Sequence, residues 1–206
     1  MKNISLFLII FALLFGCNSS DKAITNETKM PEVKNQNIVL IQPELPKKPI
    51  ERKVVETNDS IIYTNYGFTV TYPKNWELIE TNTSAKIVIV ATFEDENDSF
   101  RENIAIGIED LTTNVQVQDY AIKNIEDIEK KLGIKSEGED TVEINGIVSY
   151  KVIFSPRTKN EISIKQMQVY MLKDNTAYIL TFTSEEKNFD NYMNKVDEII
   201  NSFTIN

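Results

Sequence analysis

Residues 66–76 read Tyr-Gly-Phe-Thr-Val-Thr-Tyr-Pro-Lys-Asn-Trp, and the fold class turns on this stretch. Phe68, Val70 and Tyr72 alternate with Thr69 and Thr71, so a strand here sends three bulky side chains to one face. Pro73 lacks a backbone donor and ends the run. The signal continues downstream. Ile87 to Ala91 form an unbroken apolar run, the pattern of a strand covered on both faces, and Ile104, Ile106 and Ile108 alternate with Ala105 and Gly107. Asn145-Gly146 separates Val142/Ile144 from Ile147/Val148 and predicts a tight hairpin with a type I′ turn. The strand after it places Val148, Tyr150, Val152 and Phe154 on one face. A second hairpin runs from Met167, Val169 and Met171 through Asp174-Asn175 into Tyr178, Leu180 and Phe182.

Two helices accompany these strands. Ala121, Ile125, Ile128 and Leu132 recur at helical spacing and Gly133 follows as a C-terminal cap. A second stripe runs through Phe189, Tyr192, Met193, Val196, Ile199, Ile200 and Phe203, within a helix expected from about Asn188 to Ser202. A single apolar stripe needs a single covering surface. The order, strands then helix then strands then helix, departs from the regular alternation of a doubly wound parallel fold. It predicts an α+β fold: an α/β/α sandwich with a central, mostly antiparallel sheet and helices packed on it.

Composition narrows the chemistry. The chain has 206 residues, 41% hydrophobic and 26% charged, enough for one domain with a core plus extra segments. It carries 31 acidic against 22 basic residues, which argues against nucleic acid as a partner, since no basic footprint is available to displace counterions. There is no histidine, which removes Ser-His-Asp and Cys-His nucleophile systems and histidine-based metal sites. Cys17 is the sole cysteine, so internal disulfides and multi-thiolate zinc or iron–sulfur sites are excluded.

Residues 1–16 read as a targeting signal. Lys2 gives a short positive start and Ile4 to Phe15 an apolar run of 12 residues, too short to cross roughly 30 Å of hydrocarbon as a helix. Leu14-Phe15-Gly16-Cys17 resembles the lipobox of prokaryotic lipoproteins, which implies acylation of Cys17 and its exposure as the mature N-terminus. Two or more acyl chains hold a soluble domain firmly to a bilayer, where one is marginal. The site assignment is lipid attachment at Cys17, with the membrane as a partner through that anchor and the domain outside the cytoplasm. Asn18 after the cysteine is compatible with an outer-membrane address, so cell membrane and outer membrane both stay open.

Residues 17–60 read as a flexible tether. From Asn18 to about Ser60 there is no aromatic residue, and Pro31, Pro43, Pro46 and Pro49 interrupt it, so it cannot bury enough apolar surface to offset its ordering entropy. Asn37-Ile38-Val39-Leu40-Ile41 is its one apolar patch. The folded domain is then 61–206, where 24 acidic and 14 basic residues hold essentially all the net charge. Such a surface is repelled by anionic headgroups.

Within that domain, Tyr66-Gly67-Phe68 running into Tyr72-Pro73-Lys74-Asn75-Trp76 is similar to the opening of PsbP-like domains. The close is similar too: Tyr178 to Ser184, then a helix bearing Phe189 and Tyr192 and ending at Ile200-Asn201-Ser202-Phe203. The middle Ile144-Asn145-Gly146-Ile147 before Tyr150 also matches. The resemblance, to the PsbP/DcrB-like superfamily, implies the sandwich described above. That shape is shared by plant photosystem II extrinsic proteins, a Ran-binding nuclear import factor and DcrB-like bacterial lipoproteins. Members share a shape and little function, so no activity transfers.

Candidate chemistry is sparse. Glu94-Asp95-Glu96-Asn97-Asp98, followed by Glu102, Glu109 and Asp110, is the densest acidic run and the oxygen-rich kind that hard cations favour, but it lacks EF-hand spacing and reads more simply as a solvated loop. Glu126, Asp127 and Glu129 fall on the wet face of the first helix. Trp76 either lines a ligand pocket or plugs the core, and the lone tryptophan favours the core. Met167, Met171 and Met193 read as core filler. No G-x-S-x-G elbow or Gly-rich phosphate loop is present. The sequence therefore predicts a lipid-anchored, non-enzymatic protein-binding or assembly module, with an unidentified protein partner and no cofactor, catalytic residue or assigned metal ligand. A metal-ion or small-molecule binding lipoprotein is the alternative. An extracytoplasmic hydrolase stands third, to be recognised by two convergent carboxylates in a cleft.

Overall fold

The computed structural model describes residues 52–156 and 163–206. The signal, Cys17 and most of the expected tether lie outside the described residues. In chain order the elements are β1 (Lys53–Glu56), β2 (Ser60–Asn65), β3 (Phe68–Pro73), β4 (Glu77–Glu80), β5 (Ala85–Val90), β6 (Asn103–Asp110), α1 (Val117–Leu132), β7 (Ser136–Ile144), β8 (Ile147–Phe154), β9 (Ile164–Lys173), β10 (Thr176–Glu185), α2 (Phe189–Ser202) and β11 (Thr204–Ile205).

The strands form two antiparallel sheets. The large one has the order β4-β5-β6-β10-β9-β8-β7 and the small one β1-β2-β3-β11. The tight turns fall where the sequence puts them. Asn145 and Gly146 sit at φ 50° and 77°, as a type I′ turn needs, and Asp174-Asn175 repeats that geometry at 50° and 60°.

The helices cover opposite faces of the large sheet. Tyr120 of α1 packs edge-on against Tyr170 of β9 at 6.0 Å. Phe189 of α2 packs on Phe182 of β10 at 5.3 Å, and Phe182 lies opposite Met167 of β9. Met167 and Tyr170 are three residues apart on one strand, so they point to opposite faces. The result is the expected α/β/α layering, with the small sheet added on the α2 side. Between them lies one core built from Phe68, Val70, Ile87, Ile104, Leu180, Phe182 and the stripe of α2.

The expected central antiparallel sheet is present, and β1, β2, β3 and β11 add a second, smaller one. The folded region also starts earlier than 61: β1 and the first residue of β2 fall inside the segment 17–60 assigned to the tether. All four residues of β1 are exposed, and it is held by backbone pairing to β2 without burial of its side chains.

Candidate functional site

At one end of the large sheet, β5 leaves through the acidic loop, β6 begins, and β10 hands over to α2. The loop consumes several of its own carboxylates. Asp98 accepts the backbone N–H groups of Glu94 and Phe100, each at 2.9 Å, and Asp95 accepts that of Asn97 at 2.7 Å. These are local turns that order the loop. Arg101 ties it down by donating Nε–H to the Ala91 carbonyl at 2.7 Å, with the guanidinium reaching Glu77 at 3.2 Å and lying over the Phe93 ring.

Glu102 behaves differently. It is 0% exposed, at the foot of β6. Its Oε1 accepts long hydrogen bonds from Ser184 Oγ at 3.3 Å and Asn188 Nδ2 at 3.5 Å, while Oε2 is buried without a partner. Asn188 Nδ2 also donates to Glu94 Oε2 at 3.2 Å, so one amide stretches between two carboxylates. The Tyr192 side chain adjoins the group and feels the charges of both carboxylates.

Burial raises the Glu102 carboxyl above the ordinary carboxylate range, and the Glu94 charge adds to this. Hydrogen bonds from its own backbone N–H, Asn188 and Ser184 pull the other way. The Tyr192 phenol is pushed up mainly by burial, then by the charges of Glu102 and Glu94. Trp76, 7% exposed, meets Tyr192 edge-on at 6.0 Å, so the core reading of Trp76 holds and the same ring adjoins this cluster. Met167 and Met171 are buried and Met193 packs against the core, as core filler does.

At the opposite end of the sheet an open groove of about 450 Å³ lies between the β6–α1 loop and the two hairpin turns. Leu111, Val115, Ile147, Val148 and Leu172 supply apolar walls and Lys173 a cation, with Asp174 the one carboxylate in the lining. Val148 is 57% exposed there.

Of the sequence candidates, Cys17 lies outside the described residues. Glu94 and Glu102 are brought together, whereas Asp95 and Asp98 serve the loop. Glu109 accepts the Tyr120 hydroxyl at 2.6 Å, and Glu129 pairs with Lys135 at 2.5 Å and accepts the Ser136 N–H at 2.9 Å. Ser184 and Asn188 as partners of Glu102 were missed. They stand more than 80 residues from it in the chain, so no spacing rule could have found them. Among the described residues no three Asp, Glu or Cys side chains converge as a preformed metal cage.

A family model described as PsbP-like protein matches residues 19–205. No curated protein matches the sequence. Solved structures do. The solution structure of cyanobacterial PsbP (CyanoP) from Synechocystis sp. PCC 6803 aligns at TM-score 0.57 and 12% identity, over 74% of this chain and 95% of that one. A Pseudomonas aeruginosa protein of unknown function, PA94, described as a putative regulator, aligns at 0.52 and 13%, over 72% and 98%. LpqN of Mycobacterium tuberculosis, described as involved in cell envelope biogenesis, aligns at 0.49 and 16%, over 78% and 98%. At these identities the likeness is one of fold.

Proposed function

The chain belongs to the PsbP-like protein family, and on that premise we propose that it is a lipid-anchored extracytoplasmic protein whose domain is a non-enzymatic binding or assembly module. The observation that carries this reading is the sole cysteine, closing Leu14-Phe15-Gly16-Cys17 after a 12-residue apolar run. Signal 1–16, lipidated Cys17, a tether and the PsbP-like domain then place a partner-binding surface at a distance from a cell or outer membrane.

The geometry supports binding over hydrolysis. Glu94 and Glu102 converge, but Glu102 is fully enclosed, and the open groove at the far end carries a single carboxylate. Neither place offers a substrate two accessible carboxyl groups. A second reading, a metal-ion or small-molecule binding lipoprotein, is favoured by the unpartnered buried oxygen of Glu102.

Metabolic labelling with palmitate tests the anchor. The wild-type chain incorporates label and fractionates with membranes, and Cys17→Ala does neither. Affinity capture from detergent-solubilised membranes tests the binding role. A partner recovered reproducibly by the wild type is the expected result, and repeated recovery of none contradicts the assembly reading.

A further inference from the structure

We propose that Glu102 is a neutral acid in the folded protein, and that its proton is the pin of a pH-sensitive latch joining the acidic loop and β6 to the start of α2. The inference stands independently of the lipid anchor. It starts from a count of protons. Ser184, 0% exposed, has one hydroxyl proton, and two oxygens stand within its reach: the Glu185 carbonyl at 2.7 Å and Glu102 Oε1 at 3.3 Å. A carbonyl only accepts, and 2.7 Å is the preferred length of an O–H···O bond, so the proton goes to Glu185. Ser184 Oγ then turns lone pairs toward Glu102. An ionised Glu102 sets a negative oxygen against them, keeping only its own backbone N–H and the Asn188 amide at 3.5 Å, with Oε2 bare. A protonated Oε1 instead donates to Ser184 Oγ. The bare Oε2 becomes a neutral carbonyl oxygen, whose burial costs far less than that of an anion.

The charges around the site agree with the count. From the loop, Glu94 and Asp98 are negative, and Glu94 shares the Asn188 amide at 3.2 Å. From α2, the Tyr192 phenol feels the charges of Glu102, Glu94 and Asp98. Between β10 and α2, Lys187 pairs with Glu185 at 3.0 Å and is largely exposed. Arg101, next in the chain, is committed to Glu77 and the Ala91 carbonyl. No ammonium or guanidinium among the described residues is thus given to Glu102, and burial and the Glu94 charge both hold its carboxyl above the ordinary range. The latch is the Asn188 amide. Asn188 is the N-cap residue of α2, and its Nδ2 bridges Glu94 of the loop and Glu102 at the foot of β6. While Glu102 is neutral, Glu94 keeps that amide. Once ionised, Glu102 competes for the amide and repels Glu94, so rising pH loosens the loop and the first turn of α2. A proton on Glu102 also occupies the group that a cation needs, which tells against the metal-ion half of the second reading.

Two measurements on the full chain in non-ionic detergent test this. The first compares infrared spectra of the wild type and Glu102→Gln at pH 5.5, where an ordinary glutamate is about 94% ionised. The expected difference is the loss of one neutral-acid C=O stretch in the variant, and a difference made of carboxylate bands alone overturns the proposal. The second follows amide hydrogen exchange from pH 5 to 8, normalised to unstructured-chain rates, at Asn188 and Asn191 of the α2 entry and Phe100 of the loop. Opening that lets Glu102 ionise becomes up to about tenfold more frequent per pH unit, and levels off once the raised folded-state value is passed. Glu102→Gln stays neutral and offers Nε2–H to Ser184 Oγ, so its normalised rates are flat across this range. Glu94→Gln changes an exposed side chain, so it folds even where a change at Glu102 disturbs the core, and its rates level off at lower pH. Flat wild-type rates overturn the proposal. So does a slope that survives Glu102→Gln, and so does a plateau that Glu94→Gln leaves unmoved.

Discussion

Phe203 is the residue through which the two sheets and α2 become one core, and truncating it gives the sharpest energetic prediction. It caps α2 and is 1% exposed. Its ring stacks on Phe68 of the small sheet at 5.0 Å and meets Tyr178 of the large sheet edge-on at 5.9 Å. Its carbonyl accepts Asn145 Nδ2 from the β7–β8 turn at 2.8 Å. Phe203→Ala keeps that carbonyl and removes the whole ring, so the cost is transfer plus cavity, about 3–5 kcal/mol. Within this sum the two ring pairs supply about 0.5–1.5 kcal/mol each. At about 2–4 °C per kcal/mol for a chain of this size, the melting temperature falls by roughly 6–20 °C. Phe203→Leu, which refills part of the space, costs only about 1–2 kcal/mol. The assay is urea unfolding at 25 °C, followed in parallel by Trp76 fluorescence and far-ultraviolet circular dichroism. A coincident pair of transitions shifted by the stated amount is expected. A loss under about 1 kcal/mol refutes the wedge, because an average point substitution at any position costs that much. Wild-type transitions that separate between the two probes refute the single core.

Other predictions follow from individual contacts. Tyr120→Phe removes the 2.6 Å bond to the partly buried Glu109 while keeping the ring against Tyr170, so a loss of about 1 kcal/mol is expected by the same urea assay. Gly133 ends α1 at φ 66°, donating its N–H to the Glu129 carbonyl, and Gly133→Val places a branched side chain in the left-handed region, with a cost of about 1–2 kcal/mol. Glu102 sets a pH dependence of stability. Its folded-state pKa lies above the unfolded value, so the folded state binds more protons between the two. Stability is therefore fully present below the ordinary carboxylate pKa and falls as pH rises through the raised one. Glu102→Gln flattens that slope in urea midpoints measured from pH 4 to 8, and an unchanged slope assigns it elsewhere.

Most of the large sheet was legible because its turns have obligatory chemistry. Asn145-Gly146 and Asp174-Asn175 occupy left-handed backbone that few other residues tolerate, so both hairpins could be placed from sequence. The α1 and α2 stripes were equally legible, since Ile125 and Ile128, and Val196 and Ile199, recur at helical spacing and are buried. The two outer strands β1 and β4 were not legible. Lys53–Glu56, at the edge of the small sheet, is exposed along its whole length and leaves no burial pattern to read, and Glu77–Glu80, at the edge of the large sheet, is two apolar residues between acids. The alternation in β9 and β10 also misleads on one face. Gln166, Gln168, Thr181 and Thr183 read as solvent-facing, yet all four are buried, with Gln166 donating to Thr183 at 3.0 Å and the Tyr170 hydroxyl bonding Gln168. The Glu102 cluster was illegible for a different reason. Its members come from three elements that meet only once the sheet is assembled.

Intact-mass and N-terminal peptide analysis of the mature protein from membranes tests the central claim most directly. The account predicts a chain beginning at Cys17, its mass increased by two or more acyl chains, and the complete loss of that species in Cys17→Ala. A mature chain that begins at another residue, or that carries Cys17 unmodified, contradicts it.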